Sequence, residues 1–222
     1  MTQATQTIQK QLADLFEQAR AGVRLKKATA PPQCVVETRG VRGAKLPKAE
    51  WLKSLTEDEV KAFADWSGMG FDPIREVQKI GIKRARFRGM KERWLNDAKL
   101  IEKALKRSAI LDKEAYRGLS FASREDALKF AKKASSTTRP MKFNSLTSWS
   151  RDFDIAEDFA RPEQRGFGVV LNTVNTRTGV DIAGVAKEYV GEAEVLFSKA
   201  ARFKYVDQEW AGKVLHIFIE EI

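Results

Sequence analysis

The sequence predicts an α+β fold in which helices come first and a sheet second. Two observations carry this. Apolar residues recur at helical spacing up to about residue 110, whereas after about Lys113 they fall into short apolar or alternating runs parted by polar or glycine-containing links. No internal repeat or low-complexity tract interrupts the 222 residues. The chain therefore reads as a single unit over 1–222, with a mainly helical, basic part over 1–110 and a β-rich part over 111–222.

Each element has its own signal. From about Thr5 to Ala21, Ile8, Leu12, Leu15 and Phe16 line one helical stripe, and Gly22 supplies the stop. The stretch ATAPPQCVVETRGVRGAKLPK mixes prolines and glycines with one β-branched run, which predicts a loop with a short strand at Val35 and Val36. Thr56 followed by Glu59 is a capping box; it opens an amphipathic helix through Val60 and Phe63 toward Trp66, and SGMGFDP ends it. A helix restarts after Pro73, and a further amphipathic pattern carries Trp94, Leu95, Leu100, Ile101 and Leu105. In the second half EAYRGLSF, GFGVVLNTV, GVDIA, EAEVLF, RFKYV and KVLHIFIEEI read as strands. Two helices interrupt them: REDALKFAKKA, capped by Ser123, and DIAEDFA, whose Ile155 and Phe159 share a face at i, i+4.

Composition bounds the function. The 43% hydrophobic and 32% charged fractions suit a packed globular protein. A lone cysteine, Cys34, excludes an internal disulfide, and no secretory apolar region or 18-residue apolar stretch occurs, so a cytoplasmic setting without membrane association is expected. With one histidine and one cysteine in the chain, neither a zinc site nor a Cys–His nucleophile pair is expected, and no metal is called for. His216, alone in VLHIFI, reads as a packed strand histidine. No glycine-rich phosphate loop of the Walker or dinucleotide-fold type is present. The net charge of +10 is uneven, with 23 basic against 13 acidic residues through Arg107 and 17 against 17 beyond it. The densest run, KIGIKRARFRGMKERW, reads as a nucleic-acid patch, an anion-binding rim or a solvated basic face.

The run GEAEVLF poses a sharper question. Residues i and i+2 of a strand project from one face, so Glu192 and Glu194 stand side by side and repel unless cationic or polar groups meet them. Upstream lie a strand arginine in YRG and a Ser-x-Ser in SLTSWS. Taken singly, the arginine reads as a snorkelling or salt-bridged residue, the serines as a helix N-cap, and the glutamates as a polar strand edge.

In this order and spacing, the arginine of YRG (Arg117), the SWS of Ser148 to Ser150 and the aromatic-x-Gly-Glu-x-Glu of EYVGEAEVLF resemble a known signature. It is the arginine, Ser-Thr-Ser, Glu-x-Glu signature of the arginine-specific mono-ADP-ribosyltransferases related to clostridial iota-type toxins. The resemblance runs from Trp66 to Tyr205, and WSGMGFDPI looks like that family's aromatic-rich helix ending in an Ile-Asn pair. Trp149 replaces the central threonine, and Arg75 and Lys79 stand where the family has Asn and Arg. Phe159, eleven residues after Ser148, stands where the family places the aromatic that packs on nicotinamide; Arg161 lies one position before the expected basic residue.

The resemblance implies a helical N-terminal part packed on a mixed, mainly antiparallel two-sheet β core, and an enzyme that consumes NAD as substrate. Arg117, Gly118, Ser148, Ser150, Phe159 and Arg161 are then the NAD-binding candidates. Arg117 offers planar, permanently charged donors to the pyrophosphate, and Gly118 lets backbone approach the ligand. Glu194 is the carboxylate that stabilises the oxocarbenium-like ribose left by nicotinamide, held in place by Ser148. Glu192 takes the acceptor guanidinium bidentately and draws off its proton, and Tyr189 lies in the substrate-recognition turn. Trp66 and Phe71 read as core residues. The implied partner is a target protein bearing an arginine, with host transcription or translation machinery (polymerase, ribosomes) and RNA proximity suggested by the basic half. Chain length fits a phage-encoded enzyme acting where it is made, or an injected effector. The rival readings are a transferase with a nucleic-acid acceptor and a basic nucleic-acid-binding module whose NAD site is vestigial.

Overall fold

The helical part is built from amphipathic segments that bury large aromatics. In a computed structural model that describes residues 45–86, 89–111, 113–136, 138–161, 166–173, 175–185 and 193–222, the first element is helix α1 (Lys48–Ser54). It buries Trp51, whose Nε1 donates to Ala104 O at 2.9 Å and whose ring meets Phe63 edge-on at 5.9 Å. The helix expected over 5–21 and the strand at Val35 and Val36 lie outside the described residues.

Helix α2 (Glu57–Asp65) starts on the expected capping box, with Thr56 Oγ1 accepting from Glu59 N at 3.2 Å and Glu59 Oε2 accepting from Thr56 N at 3.1 Å. The same glutamate is 1% exposed and receives both ends of the Arg107 guanidinium, at 2.9 and 2.7 Å. Arg107 holds its carboxyl below the usual carboxylate range, against the opposing pull of burial.

SGMGFDP ends α2 as expected, in a kink rather than a loop. The chain passes through a π-helical turn, Trp66–Gly70, broken at Gly68 (φ −89°, ψ −134°), and runs directly into α3 (Phe71–Ile80). Pro73 sits in the first turn of α3, where a missing N–H costs nothing, so this helix begins before the proline rather than after it. Helix α4 (Lys91–Leu105) packs across α2 and α3 through Ala98, Ile101 and Leu105.

Among the described residues the strands form one seven-stranded sheet, not two. They are β1 (Ala115–Phe121), β2 (Thr147–Ser150), β3 (Phe167–Thr173), β4 (Val180–Asp181), β5 (Glu194–Phe197), β6 (Phe203–Ala211) and β7 (Val214–Glu221), in the order β4-β5-β2-β1-β3-β7-β6. Only β3 and β7 are parallel. The halves β4-β5-β2 and β1-β3-β7-β6 meet at a single ladder pair, Tyr116 with Ser150. A two-sheet expectation is near this arrangement and misses the join.

Alternation along β5 divides the core. Val195 and Phe197 enter an aromatic cluster with Trp149, Phe203, Leu215 and Ile217, under α5 (Arg124–Ala134) with its Ala127, Ala131 and Ala134. Leu196 faces the other way, into the helical cluster of Trp66, Ile74 and Leu146. Helix α6 (Phe153–Ala160), capped by Asp152 rather than by the serines of SWS, lies on β1 and β3. No helix among the described residues is long and apolar enough to cross a membrane.

Candidate active site

Polar residues of SLTSWS hide a strand. In β2, Thr147 and Trp149 point into the protein's aromatic side while Ser148 and Ser150 share the opposite face, and the ladder sets Ser150 directly against Glu194. Ser148 Oγ donates to Glu194 Oε1. Trp66 Nε1 donates to the same oxygen at 3.0 Å. Trp66 is a core residue as expected, at 2% exposure, yet its N–H serves the carboxylate. A buried indole needs an acceptor, and that requirement was the available signal.

These groups line a cleft of about 440 Å³ between the helical part and the sheet. Phe71, expected in the core, is 43% exposed and lines this cleft instead. The broken turn at Gly68 carries residue 71 off the apolar stripe that Phe63, Trp66 and Ile74 share.

The cleft also carries cations from both the helical part and the sheet. Arg117 on β1 donates through Nη1 to the backbone oxygen of Ser148, and its Cζ lies 5.6 Å from the centre of the Phe143 ring. Its Nε and that of Arg75 on α3 are both buried without a partner. Burial, then the Arg75 charge, pulls the Arg117 guanidinium down to about 9, with Glu194 pulling the other way. Burial lowers Arg75, and Lys79, one turn further along α3, is lowered by burial and by both arginines. Arg75 and Arg117 line the cleft, and Lys79 lies near enough to feel both, so this part of the cleft is positively charged. Sequence reasoning noted Arg75 and Lys79 only as departures, although their i, i+4 spacing sets both on one helix face.

Gly118 has a different reason from the one expected. A Cβ there would stand 1.9 Å from Ala156 O and 2.7 Å from Ala160 N, so the glycine admits the backbone of α6, not that of a ligand, although it does reach the cleft. Gly168 on β3 does the same for Ala160 O at 1.9 Å. The seated helix presents Ile155 and Phe159 to the cleft, Phe159 with 63% exposure.

Not every candidate reaches the cleft. Arg161 caps the end of α6, pairs with Asp158 at 3.2 Å and is absent from the lining. Ser150 is in the lining and accepts from Asp152 N at 2.9 Å, which ties the end of β2 to the start of α6. Tyr189 and Glu192 lie outside the described residues; the chain resumes at Ala193, which has a φ of 45° and a carbonyl that accepts from Arg151 N at 3.1 Å. His216 is 8% exposed and stacked on Phe153 at 5.7 Å, a packing role as expected. In the basic run, Arg86 pairs with Glu76 at 3.3 Å, and Lys91 Nζ donates to the carbonyls of Ile82 (3.3 Å) and Ala85 (2.6 Å). Part of its charge therefore closes the turn between α3 and α4.

No protein-family model matches the chain, and no curated protein does. Solved structures do. The chain is similar to the Vis toxin, an ADP-ribosyltransferase from Vibrio splendidus, with a TM-score of 0.59, 22% identity and coverage of 78% of this chain and 76% of that one. The same toxin solved with agmatine gives a TM-score of 0.59 at 21% identity over 78% and 82%. Exoenzyme S from Pseudomonas aeruginosa, bound to carba-NAD, gives 0.56 at 14% identity over 78% and 80%. The fold is that of the ADP-ribosyltransferases.

Proposed function

We propose that this protein transfers ADP-ribose from NAD to arginine side chains of a target protein, with release of nicotinamide. One observation carries the reading. A carboxylate, Glu194, is held by two donors in a cleft that Arg75 and Arg117 also line, with Lys79 near both arginines. That pairing suits a substrate that is anionic at its pyrophosphate and becomes cationic at its ribose as the glycosidic bond breaks. Arg117 and Arg75 have buried N–H groups to offer a pyrophosphate. Phe159, exposed on α6, offers a ring face to the nicotinamide. Glu194 stabilises the positive charge on the sugar, and Glu192, two residues before it, receives the acceptor guanidinium with Tyr189 as a recognition residue. The Vis toxin has been solved with agmatine, a guanidinium compound, which supports an arginine-type acceptor for this fold. The catalytic unit takes in both the helical and the β-rich parts, because Trp66, Arg75 and Lys79 come from one and Arg117, Ser148 and Glu194 from the other.

The two glutamates test the proposal. Glu194→Gln keeps shape and loses charge, and should lower kcat for both NAD hydrolysis and transfer by roughly 10² to 10³. Glu192→Gln should keep NAD hydrolysis and lose transfer to agmatine. Nicotinamide release and acceptor labelling are followed in one assay. Wild-type turnover by Glu194→Gln would remove the site; parallel loss of both signals in Glu192→Gln would remove the division of labour.

A further inference from the structure

We infer that Trp66 is a positioning residue for Glu194, and that it ties the carboxylate to the helical wall of the cleft; this rests on the reading of Glu194 given above. Glu194 Oε1 takes two donors from different elements, Ser148 Oγ on β2 and Trp66 Nε1 on the π-helical turn. The two are not equivalent. A serine hydroxyl rotates and can also accept, so by itself it leaves the carboxylate plane free to turn. An indole N–H only donates, in a direction fixed by its ring, and this indole has no freedom. It is 2% exposed inside the cluster of Phe63, Ile74 and Leu196.

Its turn is also braced. Asp65, the preceding residue, is ion-paired to Arg93 on α4, and Arg93 lies 5.3 Å over the Trp94 ring. Gly70 closes the turn where a Cβ would stand 2.5 Å from Asp65 O and 3.1 Å from the Trp94 ring. The bracing runs from α4 through Asp65 to Trp66, and from Trp66 to the carboxylate. The same turn leads into the helix that carries Phe71 and Arg75, so one hydrogen bond sets the carboxylate in register with the cationic wall. A tryptophan kept only for bulk needs none of this geometry.

The test removes the N–H and keeps the packing. Trp66→Phe is the simple variant. Replacement of Trp66 by β-(3-benzothienyl)alanine, in which sulfur stands for the N–H, preserves the fused ring if the phenylalanine variant does not fold. NAD hydrolysis, with kcat and KM separated, is measured beside Glu194→Gln and beside Ile217→Val, a loss from the buried cluster on the other face of the sheet. The expected result is a fall in kcat of roughly 10- to 100-fold for both Trp66 variants, the range a charge-assisted hydrogen bond supports, with KM for NAD changed less than about threefold. Ile217→Val should lose melting temperature and keep kcat within about twofold. Adding Ser148→Ala to either Trp66 variant should cost less than the product of the single losses, since both donors act on one oxygen. A benzothienyl protein with wild-type kcat, while Glu194→Gln is inactive, overturns this inference alone. Wild-type turnover by Glu194→Gln overturns it together with the reading of the site.

Discussion

Gly118→Ala separates packing from ligand approach. The added methyl would stand 1.9 Å from Ala156 O, 2.7 Å from Ala160 N and 2.8 Å from Phe159 Cβ, against an ordinary contact near 3.4 Å. Relief needs about 1.5 Å of separation between β1 and α6, since the opposing atoms are mostly backbone and cannot rotate away. Overpacking of this kind costs about 1–3 kcal/mol, and each kilocalorie lowers the melting temperature of a protein of this size by about 2–4 °C. Helix α6 also carries Ile155 and Phe159 into the cleft, so the shift moves the wall proposed to meet nicotinamide. A displacement near 1 Å at such a wall can cost about 10²-fold in rate. Calorimetric unfolding and NAD hydrolysis on the same preparation should therefore fall together. Gly168→Ala, whose Cβ would stand 1.9 Å from Ala160 O outside the cleft lining, should show the stability loss with the smaller effect on NAD. An alanine at 118 that melts with the wild type and merely raises KM would refute the packing argument and return Gly118 to a ligand-approach role.

Arg75→Met should leave the melting temperature unchanged or raised, because it removes a buried guanidinium whose Nε has no partner, and should weaken NAD binding by about tenfold or more in isothermal titration. ADP-ribose or inorganic pyrophosphate should raise the melting temperature of the wild type and raise it less in Arg75→Met, by mass action at the cationic wall. Arg107→Ala should destabilise by about 3–5 kcal/mol in urea unfolding, since it strands Glu59 as a buried charge. The Glu59 carboxyl is lowered in the fold, so its contribution is complete above the unfolded carboxylate range and is lost as pH falls through the folded value; in Arg107→Ala that acid loss should shrink.

Much of the site was legible because its chemistry left a pattern in one dimension. The Ser-x-Ser puts like residues on one strand face, and the ladder from Ser150 to Glu194 brings that face to the second glutamate of the Glu-x-Glu run, whose first lies outside the described residues. The capping box at Thr56 and Glu59 was legible for the same reason, both partners being local. What escaped depended on partners far along the chain. SLTSWS read as a cap because its cleft-facing positions are serines, so a buried strand lacked its apolar alternation. SGMGFDP read as a stop, which the kink at Gly68 is, but not as a site of close packing, where a Cβ added at Gly70 would stand 2.5 Å from Asp65 O and 3.1 Å from the Trp94 ring. The Trp66 bond spans residues 128 apart, beyond any periodicity.

The single ladder pair between β1 and β2 gives Arg117 a second employment. Past Tyr116 and Ser150 the two half-sheets stop exchanging backbone hydrogen bonds, and the next carbonyl on β2, that of Ser148, accepts from the Arg117 guanidinium instead. The residue proposed to meet the substrate's phosphates is thus also the rivet of the seam, and the seam parts the carboxylate half of the cleft from the half that holds Gly118 and α6. Drift at this position is penalised twice, once in ligand affinity and once in the alignment of the half-sheets. A lysine, which presents a point charge in place of a planar fork, could serve one of those duties but not both.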